Sequence, residues 1–309
     1  MTHQPSIPIL EVKPFVEQTM PQLRAECRIL PLQALFAPTV TYPIALPQRL
    51  HAYMVTLFTA GQGQHLVDFQ AYDYQAPALL CVAQNQVHQW HPNANSNGLV
   101  IAFSKDFLYQ NAQDQAILAT SHIFNYALQS PLIPLLENDY QRFGALFSEL
   151  KLEYEQTVGD PFRQEIMRNL LRSILLRAER LKANQAPSTT LAYYHDFIRF
   201  KDRVEDDFNR TRNVVDYAQA LGYSPKKLNQ LSRLVLNKSA KAFIDERVLL
   251  EIKRLLAHSD LSIKEITEHI GFDEPTNLVK FFKRHTQQTP SMFRDGLTGY
   301  AMLAQPIGT

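Results

Sequence analysis

The sequence predicts an α+β protein: a β-rich N-terminal domain, a pair of amphipathic helices, and an all-α C-terminal domain. Three patterns carry that expectation. Short apolar runs punctuated by glycine, proline and asparagine occupy the first 120 residues, helical apolar stripes replace them from about residue 138, and residues 213–234 and 262–284 repeat one short design. The chain has 309 residues, 45% hydrophobic and 20% charged, which is enough for two domains with apolar cores.

The N-terminal runs are His51–Thr59, His65–Phe69, Ala78–Ala83 and Leu99–Phe103, separated by Gly61-Gln62-Gly63, Ala76-Pro77, Gln84-Asn85 and Asn93–Gly98. Such spacing predicts a small β-barrel or sandwich. On the first strand, alternation is expected to turn His51, Tyr53 and Val55 inward and Ala52, Met54 and Thr56 outward. Residues 138–182 predict an antiparallel helix pair. Phe143, Phe147, Leu150 and Tyr154 form one stripe, Asp160-Pro161 restarts the chain, and Phe162, Ile166, Leu170, Ile174 and Leu181 form the second. Met167, Leu171 and Leu175 stand beside that second stripe as apolar surface in excess of one packing contact. Lys182 to Thr190 is polar and aperiodic, the signature of a linker.

Each copy of the repeat is an amphipathic segment, a Gly-aromatic pair, a capping residue and a second amphipathic segment. Val214, Tyr217, Ala218 and Leu221 precede Gly222-Tyr223-Ser224, after which Leu228, Leu231 and Leu234 resume the stripe. Ile263, Ile266 and Ile270 precede Gly271-Phe272-Asp273, followed by Leu278, Phe281 and Phe282, with one residue inserted after the turn. Each copy predicts helix, tight turn, helix. Glycine after the last apolar position permits the left-handed C′ conformation. Ser224-Pro225 supplies an N-cap with proline at N1, Ser262 with Glu265 fits a capping box, and Asp273 is expected to cap the last helix of the pair.

The second helix of each copy carries the chemistry. One presents Lys226, Lys227, Asn229, Gln230 and Arg233, the other Thr276, Asn277, Lys280, Lys283 and Arg284, and neither contains an acid. Lys and Arg neutralise phosphates or donate to guanine, while Asn and Gln pair bidentately with adenine. A solvated helix face ordinarily mixes signs, so two acid-free faces point to double-stranded DNA. Residues 239–258 form one apolar-periodic stretch, a connecting helix of roughly 30 Å, close to the ~34 Å repeat of B-DNA.

Residues of about 195–296 resemble the DNA-binding domain of the AraC/XylS family of bacterial transcription regulators. The resemblance rests on Leu-Gly-Tyr-Ser-Pro at 221–225, Ile-Gly-Phe-Asp-Glu at 270–274, Asn-Leu-Val-Lys-Phe-Phe-Lys-Arg at 277–284 and Thr-Pro-Ser-Met-Phe-Arg at 289–294, in that order. It implies seven helices with two helix-turn-helix units, and base-reading positions at Lys226, Asn229, Gln230, Thr276, Asn277 and Lys280. There are departures. Asn237 and Gln287 stand where members often have glycine, Gln230 where arginine is usual, and Ser232 where an aromatic is usual.

The order of N-terminal segments resembles the cupin-like sensor domain of the same family. That implies a barrel around a small organic effector, with His51, Tyr53, Val55, His88 and Trp90 as candidate contacts. It also implies a dimer built by helices at 138–182, with Met167, Leu171 and Leu175 as interface candidates. The expected organisation is a sensing and dimerisation domain at 1–182, a linker at 183–194, a DNA-binding domain at 195–296 and a tail at 297–309. The expected function is a sequence-specific regulator, an activator, whose partners are operator DNA, an effector, a second copy and RNA polymerase.

Two alternatives stay open: a cupin-type metal enzyme with accessory helices, and a DNA binder that needs no effector. An enzyme would require a metal triad or acid-base pair. His51, His65, His88 and His91 offer no His-x-His near a suitably placed glutamate, so neither metal, cofactor nor catalytic residue is expected. The net charge is +1, but residues 1–190 hold 13 basic and 15 acidic residues against 18 and 15 beyond them, which puts the cation excess in the DNA-reading half. No apolar run reaches the roughly 18 residues of a membrane span and Met1–Val16 lacks a secretory pattern, so a cytoplasmic protein without membrane contact is expected. Cys27 and Cys81 are in no paired motif, and free thiols are expected.

Overall fold

The structure, a computed structural model, describes residues 27–36, 47–50, 52–91, 95–110, 114, 117–118, 121–125, 130–156, 159–185 and 188–303. They divide into two compact units that meet in sequence between Gln185 and residue 188.

The N-terminal unit contains two antiparallel sheets. Strands β1 (Cys27–Pro31), β8 (Asn97–Phe103), β3 (Tyr53–Ala60), β6 (Ala78–Val82) and β9 (Leu132–Pro134) form one, in that order. Strands β2 (Gln48–Arg49), β7 (Val87–Trp90), β4 (Gln62–Val67) and β5 (Gln70–Gln75) form the other. The β4–β5 hairpin closes through Asp68 and Phe69, both left-handed (φ 49° and 67°), the backbone that a two-residue turn between right-twisted strands requires. A short helix, α1 (Leu32–Leu35), follows β1, and α2 (Lys105–Leu108) follows β8 with Ser104 as its N-cap.

Between the sheets lie Met54 and Phe58 of β3, Leu80 and Val82 of β6, Val100 of β8, and Val67, Tyr74 and Trp90 of the smaller sheet. The opposite face of β3 carries Tyr53, Val55 and Leu57 into the helix-facing core. The parity expected from the sequence is therefore reversed. Tyr53 and Val55 point away from the inter-sheet space and Met54 points into it, while His51 lies outside the described residues. β3 is buried on both faces, so its apolar alternation carries no sign.

Helices α3 (Glu137–Gln156) and α4 (Arg163–Gln185) cover the larger sheet. Phe143, Phe147, Leu150 and Tyr154 of α3 are buried, as their stripe predicts. On α4 the buried row is Met167, Leu171, Ile174, Leu175 and Ala178. This corrects the expected interface: Met167 is 1% exposed and Leu171 and Leu175 are fully buried, whereas Phe162 (70%) and Ile166 (42%) face outward. The sheet selects one of two adjacent apolar stripes, and phase along a single helix cannot tell which.

Buried polar groups fasten the unit. Glu179 accepts from the backbone N–H of His122 and Ile123, from the Ser121 hydroxyl and from the His122 ring. Burial alone would push its carboxyl up, but the His122 side chain and these amides hold it below the usual range. Arg172 grips Asp114 with two bonds of 2.7 Å, and Lys182 donates to the carbonyls of Ser130 and Leu132. Cys27 and Cys81 are free, buried thiols, each pushed up to about 12 by burial.

The C-terminal unit holds seven helices among the described residues: α5 (Ser188–Asp207), α6 (Val214–Leu221), α7 (Pro225–Leu236), α8 (Ala240–His258), α9 (Ile263–Ile270), α10 (Pro275–Thr286) and α11 (Pro290–Leu303). The stretch expected as a linker at 183–194 is largely helical. α4 runs to Gln185 and α5 starts at Ser188, while 186–187 lie outside the described residues. α11 likewise extends past 296 into the expected tail. Connecting helix α8 runs unbroken for 19 residues, about 28 Å at the usual rise. Its Val248, Ile252, Leu255 and Leu256 meet Ile266, Ile270, Leu278, Phe281 and Phe282 in one core. Arg247 of α8, over the Phe208 ring at 4.0 Å, pairs with Glu205 (2.7 Å) and Glu251 (3.0 Å).

Candidate nucleic-acid interface

Two helix pairs, α6–α7 and α9–α10, stand on one frame. Proline opens each second helix (Pro225, Pro275), a fully buried leucine follows (Leu228, Leu278), and a left-handed residue ends it (Asn237, φ 56°; Gln287, φ 64°). Matched positions of the second helices are fifty residues apart and those of the first helices forty-nine, because the single inserted residue falls in the turn. Gly222 and Gly271 are left-handed at the ends of α6 and α9. At Gly271 a Cβ would also stand 1.9 Å from the Asn209 carbonyl oxygen, so sterics and backbone both demand glycine there.

N-caps agree with the sequence at two of three expected places. Ser224 accepts from the Lys227 N–H, and Ser262 with Glu265 forms the complete capping box. Asp273 does not cap α10; Glu274 occupies the N-cap and no side-chain bond is made there. Proline at N1 forces its predecessor into extended backbone (φ −138°, ψ 142°), so the residue before Pro275 must be the N-cap.

The aromatic of each turn serves as a platform for cations. Phe272 lies under the Arg212 guanidinium at 3.9 Å, and Arg212 also donates to the Gly271 carbonyl at 3.1 Å. Tyr223 lies under the Lys227 ammonium at 3.7 Å and donates its hydroxyl to Asp196 at 2.6 Å. Lys227 itself reaches Asp196 at 2.8 Å. Hydrogen bonds from Lys227 and Tyr223 hold the Asp196 carboxyl below its usual range, and Asp196 raises Lys227 in turn.

These contacts sort the expected DNA-binding residues. Lys226, Gln230 and Arg233 are exposed on α7, and Thr276, Asn277, Lys280, Lys283 and Arg284 are exposed on α10. Two belong elsewhere. Lys227 is held by Asp196, an acid supplied by α5. Asn229 donates to the Pro225 carbonyl and accepts from the Ala240 N–H at 3.1 Å, so its amide closes the first turn of α8 and is not offered to a base edge. Its counterpart fifty positions on is Val279, which has no hydrogen-bonding head at all. Arg284 is exposed but leans toward buried Asp245 at 4.0 Å.

The effector candidates separate likewise. His88 and Trp90 occupy the inner face of the smaller sheet, with His65 beside them: ring centres lie 4.4 Å apart for His65 and Trp90, and 5.4 Å for His65 and His88. Burial and the neighbouring His88 hold His65 well below its usual range. Among the described residues no group of three His, Cys, Asp or Glu is placed to hold a metal ion, and no helix is long and apolar enough to cross a membrane.

Residues 217–296 match a family described as a helix-turn-helix domain. The chain is 24% identical over 250 residues to the HTH-type transcriptional regulator YfiF of Bacillus subtilis, covering 78% of this chain and 76% of that one. It is 29% identical over 84 residues to the arabinose operon regulatory protein of Salmonella typhimurium, 27% of this chain and 30% of that one. ToxT from Vibrio cholerae is similar at 15% identity over 82% of this chain and 92% of its own, with a TM-score of 0.41. The C-terminal unit is a helix-turn-helix DNA-binding domain. Over its C-terminal unit the chain is similar to transcription regulators, the arabinose operon regulatory protein among them.

Proposed function

We propose that this regulator reads DNA with two helix-turn-helix units, recognition helices α7 and α10, set on successive major grooves by α8. The observation that carries the reading is the matched pair of exposed faces. Lys226, Gln230 and Arg233 on one helix stand at the frame positions of Thr276, Lys280 and Lys283 on the other. Asn277 and Arg284 widen the second face. Base selection falls to Gln230, Arg233, Thr276, Asn277 and Lys280, and phosphate anchoring to Lys226, Lys283 and Arg284.

The N-terminal unit is the sensor, a cupin-like pair of sheets with a small organic effector between them, and the regulator acts as an activator. It dimerises through the outward residues Phe162 and Ile166 at the start of α4, which stand one turn apart and are exposed. Footprinting on sites selected from random DNA tests the reading. Two protected major-groove segments on one face, about one helical turn apart, are expected. A single protected segment would remove α7 or α10 from the reading set.

A further inference from the structure

The loop between α5 and α6, residues 208–213, leads into the first helix pair but also touches the second. On the first-pair side it is tied to α6. The Tyr217 hydroxyl donates to the Thr211 carbonyl at 2.9 Å, the Thr211 hydroxyl pairs with Asp216, and Asn213 caps α6 by accepting from the Val215 N–H at 3.2 Å. Tyr217 is itself buried, edge-on to Phe200 of α5. The loop is therefore one body with the first pair.

On its other side the same loop meets the turn between α9 and α10. Arg212 donates from Nη1 and from Nη2 to the Gly271 carbonyl, both at 3.1 Å, while its guanidinium lies over the Phe272 ring. Phe272 in turn leans on Phe281 of α10, with ring centres 5.4 Å apart. The Asn209 carbonyl abuts Gly271 with no room for a Cβ, and Phe208 packs against the core of the second pair beneath Arg247 of α8. A guanidinium suits this place twice over. It satisfies a carbonyl at the end of α9, and its charge complements the helix C-terminus.

Resting on the two-unit reading above, we infer that Arg212 is a positioning residue that fixes the spacing between the two DNA segments the protein accepts. α8 joins the helix pairs covalently, and a single connecting helix leaves one pair free to pivot against the other. The 208–213 loop adds a second, separate connection that removes the pivot. DNA registers the difference directly. At 10–10.5 base pairs per turn, one inserted base pair carries a segment about 3.4 Å along the axis and about 34° around it. Binding groups must be held within about 0.5 Å of their working geometry, so a braced frame accepts one spacing and an unbraced frame accepts several.

The full-length protein is titrated with duplexes that carry both selected segments at the selected spacing, and with one or two base pairs added or removed between them. Wild type should prefer the selected spacing at least about tenfold. Arg212→Ala should bring all the spacings within about threefold of one another, while each segment keeps its own base preferences. Phe272→Leu keeps an apolar side chain, removes the aromatic platform and should relax the spacing preference at least about threefold. It carries the test should Arg212→Ala fail to fold by circular dichroism. A role in stability alone would weaken every spacing by one factor and leave their order unchanged. That outcome, or a wild type indifferent to spacing, would overturn the brace and leave the two-unit reading standing. A wild type that needs only one segment would overturn both.

Discussion

Replacing Asn229 separates a base-reading role from a framing role more sharply than any other single change. Its Oδ1 accepts from the Ala240 N–H and its Nδ2 donates to the Pro225 carbonyl, so one amide ties the start of α7 to the start of α8. Ala240 is fully buried. Asn229→Ala leaves its N–H without a partner, a desolvation cost of about 1–3 kcal/mol. For a helical unit of this size each kcal/mol lowers the melting temperature by about 4–8 °C. The expected result is a helical unit that melts at least about 4 °C lower and binds all DNA sequences more weakly by a common factor. Asn229→Asp keeps the acceptor and should recover much of the melting temperature, because its charge also suits the N-terminus of α8. Thermal melting by circular dichroism and competition binding against a library randomised under α7 read the two effects separately. Loss confined to one base pair, worth about 1–3 kcal/mol there, with an unchanged melting curve would refute the framing role and return Asn229 to the base readers.

Lys280→Ala and Asn277→Ala should change which base is preferred at one or two positions, whereas Lys283→Ala should weaken all sites alike and flatten the salt dependence by about one unit of slope; binding arrays at two salt concentrations distinguish these. Leu171→Glu should unfold the N-terminal unit, because it places a charge in the core under the sheet, while Ile166→Glu should leave the unit folded and yield a monomer by light scattering. A folded monomer from Leu171→Glu would overturn the packing of α4. Because burial, with His88 and His91, holds His65 well below its usual range, the unfolded chain takes up its proton first. Stability should therefore be full above about pH 6.5 and fall below it, by at most about 1.4 kcal/mol per pH unit. His65→Phe should flatten denaturant midpoints measured between pH 7 and 5, and an unchanged slope would refute the assignment.

The helix pairs were legible because their signals are local. Gly222, Gly271, Ser224-Pro225 and Ser262 with Glu265 act within one turn of where they stand, and they force the chain the same way in any surroundings. The Glu274 cap is equally local, because Pro275 fixes the first helical position as Pro225 does. Lys227 and Asn229 were not. What decides them is Asp196, on a helix that begins before the repeat, and the Ala240 N–H on the helix after it. The same limit explains the sensor. β3 is apolar on both faces and α4 has two apolar stripes, so the inner face of one and the packed face of the other exist only relative to a sheet assembled from distant strands. The Glu179 clamp and the Arg172–Asp114 pair span more than fifty residues and leave no periodicity to read.

One frame carrying two different faces has a consequence for the DNA. Matched positions are buried in both helices, Leu228, Leu231 and Ser232 in α7 and Leu278, Phe281 and Phe282 in α10, so each turns the same face to its supporting helices. Their exposed residues differ: Gln230 stands where the second helix has Lys280, and Lys226 where it has Thr276. Glutamine pairs bidentately with adenine and lysine donates to guanine. On the proposed reading, two helices seated alike therefore address unlike sequences, and the half-site of one protomer is a tandem of two different boxes. Phosphate anchoring is uneven as well, because Asp196 neutralises Lys227 beside the first helix while nothing on the second ties Lys280 or Lys283 to an acid among the described residues. The second box should hold the protein to DNA chiefly by charge, and the first should contribute chiefly through the fit of Gln230 and Arg233 to their bases.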